Sequence, residues 1–227
     1  MANTTQMRDR RTSVDVVFDH LYEEIGALRL LPGDKISEAD IAAQFGVSRQ
    51  PVRDAFSRLE NLDLLLIRPQ RATEVKKFSR REITKSRFVR AAVESEVLRR
   101  AARECDPIGA AQLDAALTLQ KATVASGKYE DFGALDYAFH QTLCDIANVD
   151  FAFEVIKQEK ESVDRLCMLS LSKENRMSQL LEDHEAIAEC VKNHDPEAAV
   201  VAGMQHLSRL DDTITAISNA NEDYFDP

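Results

Sequence analysis

The 227-residue chain carries 29 Lys and Arg against 39 Asp and Glu, which gives a net charge of −10. Its length accommodates a small domain followed by a larger one. The longest purely aliphatic run, residues 64–67, is far too short to span a bilayer, and the first residues lack the apolar core of a signal peptide. We therefore expect a cytoplasmic protein that has no membrane partner.

The negative charge is distributed unevenly along the chain. Residues 1–78 carry 12 basic and 12 acidic side chains, so residues 79–227 supply the whole net charge of −10. Between Arg49 and Lys77, seven basic residues outnumber four acidic ones. A locally basic segment in an acidic chain favours contact with a polyanion such as DNA at that segment alone. The acidic remainder is expected to face away from the polyanion.

The first predicted elements form a helix-turn-helix. Apolar residues recur at helical spacing over residues 14–28, and Pro32-Gly33-Asp34 then predicts a turn. Residues 37–48 have the pattern of a short helix followed by a tight turn at Gly46. A second helix follows at once, as in the helix-turn-helix layout. The residues expected to pack inward from the short helix and the turn are Ile41, Ala42, Phe45 and Val47.

Residues 48–60 have the pattern of a DNA recognition helix. Ser48 is expected to cap the helix through its hydroxyl, and Pro51 fits the first turn, where a missing N–H costs little. One arc of the helix is apolar, and it consists of Val52, Ala55, Phe56 and Leu59. The adjoining arc is polar, and it consists of Arg49, Gln50, Arg53 and Ser57. Arg can bind guanine, and Gln adenine, through paired hydrogen bonds in the major groove, so this arc predicts base reading.

Two short β-type runs follow the recognition helix and predict a wing. They are residues 64–67 and 73–75, and they flank the basic stretch Arg68-Pro-Gln-Arg71. The helix, turn and hairpin signals follow one another in the order of a winged helix-turn-helix domain. Such agreement between independent local signals indicates that the sequence encodes this fold. The candidate DNA-binding residues are Ser48, Arg49, Gln50, Arg53 and Arg71.

These segments together resemble the N-terminal domain of GntR-type bacterial transcription regulators, over about residues 10–77. The resemblance implies a winged helix-turn-helix domain that binds double-stranded operator DNA, with Arg49 and Arg53 contacting bases or phosphates. Two positions depart from the family pattern. Ala39 stands where many members have an arginine, and Ala72 stands where the wing usually has a glycine. Because a residue with a Cβ is less free to adopt positive φ, we expect a wing tip of different shape.

From about residue 79 onward, every segment is helical in pattern. Breaks near Asp106-Pro107, Ser126-Gly127, residues 148–150, Ser172-Lys173 and residues 194–196 divide this region into about six helices. Short connections of this kind are typical of an antiparallel bundle. The predicted fold class is therefore mainly α, with a winged helix-turn-helix domain at residues 10–77 and an all-α six-helix bundle at residues 80–220. The short junction between them predicts mechanical coupling.

Four residues of the bundle form a candidate metal site. Asp136 and His140 are spaced i, i+4 and therefore share one face of a helix, while His184 and His206 fall in two other predicted helices. Three imidazoles and a carboxylate from three helices could converge on one divalent cation. Such nitrogen and oxygen ligands suit Zn²⁺, Ni²⁺ or Mn²⁺. The alternative is that each histidine is an isolated surface or core residue, and spacing alone leaves both readings open.

An Asp-x-x-x-His motif followed by two helical histidines resembles the metal signature of the FCD ligand-binding domain. That domain follows the GntR-type helix-turn-helix in the FadR subfamily, and six helices rather than seven resemble its VanR-type branch. The resemblance implies that Asp136, His140, His184 and His206 bind a divalent metal ion, with Zn²⁺ as the first candidate, in an effector-binding and dimerisation domain.

A cation with four protein ligands has coordination positions left for a small carboxylate or hydroxy acid. Arg90, on the first bundle helix, is the candidate to bind the other end of such an effector, since the family often places an effector-binding arginine there. The alternative for Arg90 is a surface ion pair with Glu94, four residues later. Arg165 is a second candidate.

We therefore expect a homodimeric regulator, a repressor rather than an activator, that binds a palindromic operator and senses a small organic acid or sugar acid. One alternative is a metal sensor, in which the ion itself is the regulated ligand. The other is a metal-dependent enzyme. The sequence disfavours the enzyme, because it shows no nucleophile motif, no nucleotide-binding loop and no partnered general base near the four residues.

Overall fold

The computed structural model of the chain describes residues 11–167 and 173–226, apart from a few side chains within the helices. Its contacts divide it into two units. The first comprises Met1–Phe78 together with Glu222–Pro227, and the second comprises Ser79–Asn221. Among the described residues, no helix is both long enough and apolar enough to cross a membrane.

In the described residues, the first unit contains three α-helices, a small antiparallel sheet and a short 3-10 helix at Glu222–Tyr224. Its elements are α1 (Ser13–Gly26), β1 (Lys35–Ile36), α2 (Glu38–Phe45), α3 (Arg49–Asn61), β2 (Leu65–Leu66) and β3 (Thr73–Val75). The strand order is β1-β3-β2. The predicted hairpin is therefore present, with Leu65 opposite Val75, and β1 adds a third strand that was not predicted, with Ile36 opposite Thr73.

The core of this unit confirms the predicted apolar arc of the recognition helix. The residues that α3 contributes are almost completely buried, and they are Val52, Ala55, Phe56 and Leu59. They pack in one cluster with Val17, Leu21 and Ile25 of α1. Between α2 and α3, Gly46 adopts a φ of 64°, a left-handed conformation that ends α2 and is easy only for glycine. The chain can then turn directly into α3.

One local prediction needs correction. Ser48 does occupy the N-cap position of α3 with extended backbone, but its hydroxyl accepts no capping hydrogen bond. At the wing tip, Arg71 N donates to Arg68 O at 3.3 Å, and the positive φ of 59° falls on Gln70, two residues before Ala72. Pro69 is the second residue of this turn, and Gln70 is the third. Proline, with its fixed φ, is common at the second position of turns whose third residue is left-handed. The absence of a wing glycine is thus accommodated within the turn.

The end of the chain returns to the first unit, which the sequence did not predict. Phe78 N donates to Tyr224 O at 2.9 Å, and Asp226 N donates to Phe78 O at 2.8 Å. The rings of Phe78 and Phe225 lie 5.6 Å apart, and both residues are buried. The segment that leads out of the first unit is therefore paired with the last residues of the chain.

The second unit is a bundle of six helices in the described residues. They are α4 (Arg80–Glu104), α5 (Pro107–Ser126), α6 (Tyr129–Ile146), α7 (Phe151–Cys167), α8 (Lys173–Lys192) and α9 (Pro196–Ala220). The breaks agree with those predicted, although Ser172 lies outside the described residues. Asp106 and Asp195 cap α5 and α9 through their carboxylates, and a proline follows each of them at the first helical position. Helix α4 packs against α6, α7, α8 and α9, which places it at the centre of the bundle.

Candidate metal centre and nucleic-acid interface

Three helices bring the predicted ligand set together in the interior of the bundle. Asp136 and His140 come from α6, His184 from α8 and His206 from α9. All four are buried, and each offers one ligand atom, these atoms lying within 4.8 Å of one another. The imidazole centroids of His184 and His206 are 4.9 Å apart. The alternative that His140, His184 and His206 are isolated from one another is therefore wrong. Together with Asp136 they form a group that could hold a metal ion.

Gln120 on α5 orients the ring of His184. Its amide Nε2 donates to the carbonyl oxygen of Leu135 at 3.1 Å, which directs its Oε1 towards His184 Nδ1 at 2.8 Å. Because an amide oxygen only accepts, Nδ1 carries the imidazole hydrogen and Nε2 presents a lone pair. The ring also stacks on Phe139 at a centroid distance of 4.2 Å. This is how metal-binding histidines are usually positioned, with one nitrogen anchored and the other directed at the ion.

Carboxylates lie beside the Nδ1 atoms of the other two imidazoles. His140 Nδ1 lies 3.3 Å from Glu94 Oε2, on α4. His206 Nδ1 lies 3.5 Å from Asp183 Oδ2, and Arg209 Nε donates to that same oxygen at 2.7 Å. His140 Nδ1 thus faces an oxygen acceptor, which leaves its Nε2 for a ligand bond. His206 Nδ1 forms no hydrogen bond with Asp183 and is itself a candidate ligand atom.

Four buried atoms of the cluster form no hydrogen bond within the described part of the chain. They are His140 Nε2, His184 Nε2, His206 Nδ1 and Asp136 Oδ2, although the last of these lies 3.0 Å from the Lys160 ammonium. A buried polar atom without a partner costs about 1–3 kcal/mol, so a native fold rarely keeps several in one place without a purpose. A single divalent cation could bind one atom from each of the four residues. The residues present therefore fit a metal ion by geometry as well as by ligand type.

Protonation states also suit metal binding. Burial lowers the pKa of His184 well below 6.5, so its imidazole is neutral near neutral pH. Burial alone would raise the pKa of Asp136, but the Lys160 ammonium and the nearby imidazoles outweigh it and hold that pKa far below its ordinary value. A neutral imidazole and an ionised carboxylate are the forms that bind metals.

Two buried ion pairs flank the cluster. Arg90 Nε lies 2.8 Å from Glu94 Oε1, with exposed side-chain fractions of only 3% and 7%. Lys160 Nζ, on α7, lies 3.0 Å from Asp136 Oδ2. The predicted alternative of a surface Arg90–Glu94 pair is therefore wrong in its location, because the pair is buried beside His140. Arg165 is half-buried on α7, and its effector role stays a prediction.

All five candidate DNA-binding residues are exposed on the first unit. Arg53 Nη2 lies 3.0 Å from Glu38 Oε2, an ion pair between α3 and α2, and Gln50 Nε2 donates to Asp54 Oδ1 at 2.8 Å. Exposed pairs of this kind contribute about 0–1 kcal/mol, so bases or phosphates can replace them at little cost. Ser48 uses its hydroxyl for no capping bond, and that leaves it suited to a phosphate contact.

Comparison with known proteins gives the same two parts. The model of bacterial regulatory proteins of the gntR family matches residues 14–75, and the model of the FCD domain matches residues 87–209. The chain is 32% identical to the HTH-type transcriptional repressor RspR of Escherichia coli (strain K12), over 99% of each chain. It is 27% identical to a probable D-xylose utilization operon transcriptional repressor of Paenarthrobacter nicotinovorans, over 92% of this chain and 91% of that one.

Among solved structures, E. coli McbR/YncC has the same fold, with a TM-score of 0.67 at 18% identity over 91% of this chain and 98% of that chain. The recognition helix, the wing, the helical bundle and a repressor relative aligned along almost the whole chain all agree. The chain belongs to the GntR family with an FCD domain, and it is a DNA-binding transcriptional regulator rather than an enzyme.

Proposed function

We propose that the protein is a homodimeric repressor whose operator binding is controlled by a small carboxylate, an organic acid or sugar acid, held at a divalent metal ion in the helical domain. The observation that carries this proposal is the convergence of three buried imidazole nitrogens on the carboxylate of Asp136. The nitrogens are His140 Nε2, His184 Nε2 and His206 Nδ1, and none of them forms a hydrogen bond within the described residues. Zn²⁺ is the first candidate for the ion, because three imidazoles and one carboxylate are ligands it commonly takes. Ni²⁺ and Mn²⁺ suit the same ligand set.

The balance of buried charge favours an anionic effector. Arg90 and Glu94 neutralise each other, as do Lys160 and Asp136, and burial keeps His184 neutral. A divalent cation added to this balanced interior leaves an excess of positive charge, which is costly in a medium of low polarity. When bound, the ion supplies a position for a carboxylate oxygen. An anionic effector restores the balance there, and we propose Arg90 and, secondarily, Arg165 as residues that contact it.

The choice of effector class has some support from a relative. The protein from Paenarthrobacter nicotinovorans is named as a probable repressor of a D-xylose utilization operon. A sugar operon suggests that sugar acids be tested beside ordinary organic acids. We propose that the DNA-binding unit recognises a palindrome, one half-site for each subunit, as helix-turn-helix dimers do.

Operator recognition is tested by selecting binding sites from a random duplex pool and measuring affinity for the selected site and a scrambled site. Arg53→Ala is expected to reduce the discrimination between them by about 1–3 kcal/mol, the contribution of one bidentate base contact. Arg29→Ala is the matched control, because it removes one exposed arginine paired with Glu24 in the same unit. Equal loss of discrimination in both variants would contradict the assignment of Arg53.

The metal-anchored pocket is tested by elemental analysis of the purified protein, followed by operator-release assays. His184→Ala is expected to keep operator affinity and to lose both the metal and the response to organic acids. An unchanged effector midpoint in this variant would count against the pocket. Operator release caused by a chelator or by metal alone, with no acid present, would instead favour the metal-sensing alternative.

A further inference from the structure

We infer that Glu38 is a positioning residue for base recognition: its carboxylate holds the guanidinium of Arg53 by one edge, so that the opposite edge meets a guanine and not a phosphate. The inference rests on the proposed assignment of Arg53 to base reading. It gives a function to an acidic residue on a surface that has to approach a polyanion.

The first step is the anchoring of Glu38 where α2 begins. It is the first residue of α2, and the preceding Ser37 caps the helix by accepting a hydrogen bond from Ala39 N at 3.2 Å. An acidic side chain is favourable in the first turn, where the helix dipole is positive. Strand β1, which ends at Ile36, pairs with β3 just before this turn. The backbone around Glu38 is therefore well fixed, as a residue that positions another one requires.

The second step is the contact between Glu38 and the recognition helix. Arg53 Nε donates to Glu38 Oε1 at 3.3 Å, and Arg53 Nη2 donates to Glu38 Oε2 at 3.0 Å. Two parallel bonds between a planar guanidinium and a carboxylate fix the plane of the guanidinium as well as its position. The Arg53 side chain remains 56% exposed in this arrangement, so the contact orients it without enclosing it.

The third step is the shape of the guanidinium, which allows the pair to persist when a base is bound. A guanidinium has five N–H donors in a fixed fork, and the pair with Glu38 uses only the edge formed by Nε and Nη2. The end edge, formed by Nη1 and the second hydrogen of Nη2, can bind guanine O6 and N7 together. Although a base or phosphate could replace this weak exposed pair, Arg53 can therefore read a guanine while Glu38 still holds it.

The fourth step is the effect of the carboxylate on contacts that carry no sequence information. A surface arginine without a carboxylate beside it binds phosphates of any sequence, and such contacts supply most of the non-specific affinity. A carboxylate that stays beside Arg53 repels phosphate oxygens and so acts against the wrong contact. Asp54 is the other acidic group close to Arg53, and it accepts a hydrogen bond from Gln50 at 2.8 Å. Glu38 is the one that binds the guanidinium by two bonds.

The first experiment measures discrimination at each base pair of a site that the wild type selects from a random duplex pool. Arg53→Ala identifies the base pair that Arg53 reads. Glu38→Gln should reduce discrimination about two- to tenfold at that same base pair, because an arginine that is no longer held has to be ordered on binding. Asp40→Asn is the matched control, since it removes an exposed carboxylate from the same first turn of α2 and should keep the wild-type discrimination.

The second experiment is a double-mutant cycle on the same duplexes. Because Glu38 acts through Arg53, Glu38→Gln should cause no further loss of discrimination in an Arg53→Ala background. Glu38→Gln alone should also raise the affinity for a scrambled duplex, with a salt dependence steeper by about one phosphate contact, since Arg53 then becomes available to phosphates.

Three results would overturn the inference. They are discrimination in Glu38→Gln equal to that in Asp40→Asn, a loss equally large with and without Arg53, and a scrambled-duplex affinity no higher than that of the wild type. An Arg53→Ala variant that keeps the wild-type discrimination would refute the proposed assignment of Arg53 together with this inference. That outcome is distinct from the other three, because it appears without any change at Glu38.

Discussion

The hydrogen bond between Gln120 and His184 provides the sharpest test of how the candidate metal centre is built. Replacing Gln120 with leucine keeps the side chain's approximate volume but removes both of its contacts, the one to His184 Nδ1 at 2.8 Å and the one to Leu135 O at 3.1 Å. His184 can then move its hydrogen to Nε2, which faces Asp136 Oδ1 at 3.4 Å. That tautomer cannot bind a metal through Nε2.

The magnitude follows from the burial of this contact, since Gln120 is completely buried. Loss of an outer hydrogen bond that orients a metal-binding histidine typically lowers metal affinity about 10- to 100-fold. That range corresponds to about 1.4–2.7 kcal/mol. The metal-free protein should lose stability as well, because an unsatisfied buried group costs about 1–3 kcal/mol.

The assay is Zn²⁺ competition against a chromophoric chelator, with urea unfolding of the metal-free protein measured in parallel. Gln112→Leu serves as the control, because it makes the same replacement at an exposed position of the same helix. Zn²⁺ affinities within twofold of each other in the two variants would refute the reasoning. The proposed tautomer of His184 would then play no part in metal binding.

Other expected outcomes concern stability. A Cβ on Gly203 would lie 2.2 Å from Leu98 Cδ1, whereas a Cβ on Gly133 would meet nothing within 4 Å. Gly133→Ala should therefore raise the free energy of unfolding by about 0.5–1 kcal/mol, through helix propensity. Gly203→Ala should lower it, because overpacking costs about 1–3 kcal/mol, and equal melting temperatures in the two variants would contradict this. The pKa of Asp15 is held at about 2 by its hydrogen bond with Thr12 and by a neighbouring guanidinium, against an ordinary value of 3.8. Its contribution to stability should be complete above about pH 4 and lost as the pH falls towards 2, and acid titrations of Asp15→Asn should lack that loss.

The recognition helix could be predicted because its pattern is local. The burial of Val52, Phe56 and Leu59 follows from the 100° step of an α-helix, and the exposed arc that carries Arg49 and Arg53 follows from the same step. The wing tip and the capping of α3 were harder to predict. A turn of several residues can place its left-handed conformation at more than one position, and a serine in the N-cap position need not use its hydroxyl.

The candidate metal cluster was predictable only in part. The i, i+4 spacing of Asp136 and His140 places them on one helical face, but the approach of His184 and His206 depends on how three helices pack. The outer partners show this limit more clearly. Gln120 lies 64 residues from His184 along the chain, and no local pattern marks it as the group that fixes the ring. Lys160 is likewise one of many lysines until the fold places it beside Asp136.

The distribution of these groups over the bundle explains how one small ligand could control a DNA-binding unit. Glu94 lies on α4, the helix that begins just after the first unit ends at Phe78. His206 lies on α9, the helix that ends just before the chain returns to the first unit at Glu222. Both covalent connections between the units thus continue from helices that contribute to the candidate metal centre. A ligand that binds one arrangement of α4 and α9 more tightly than another biases both connections together, by no more than its difference in affinity for the two arrangements.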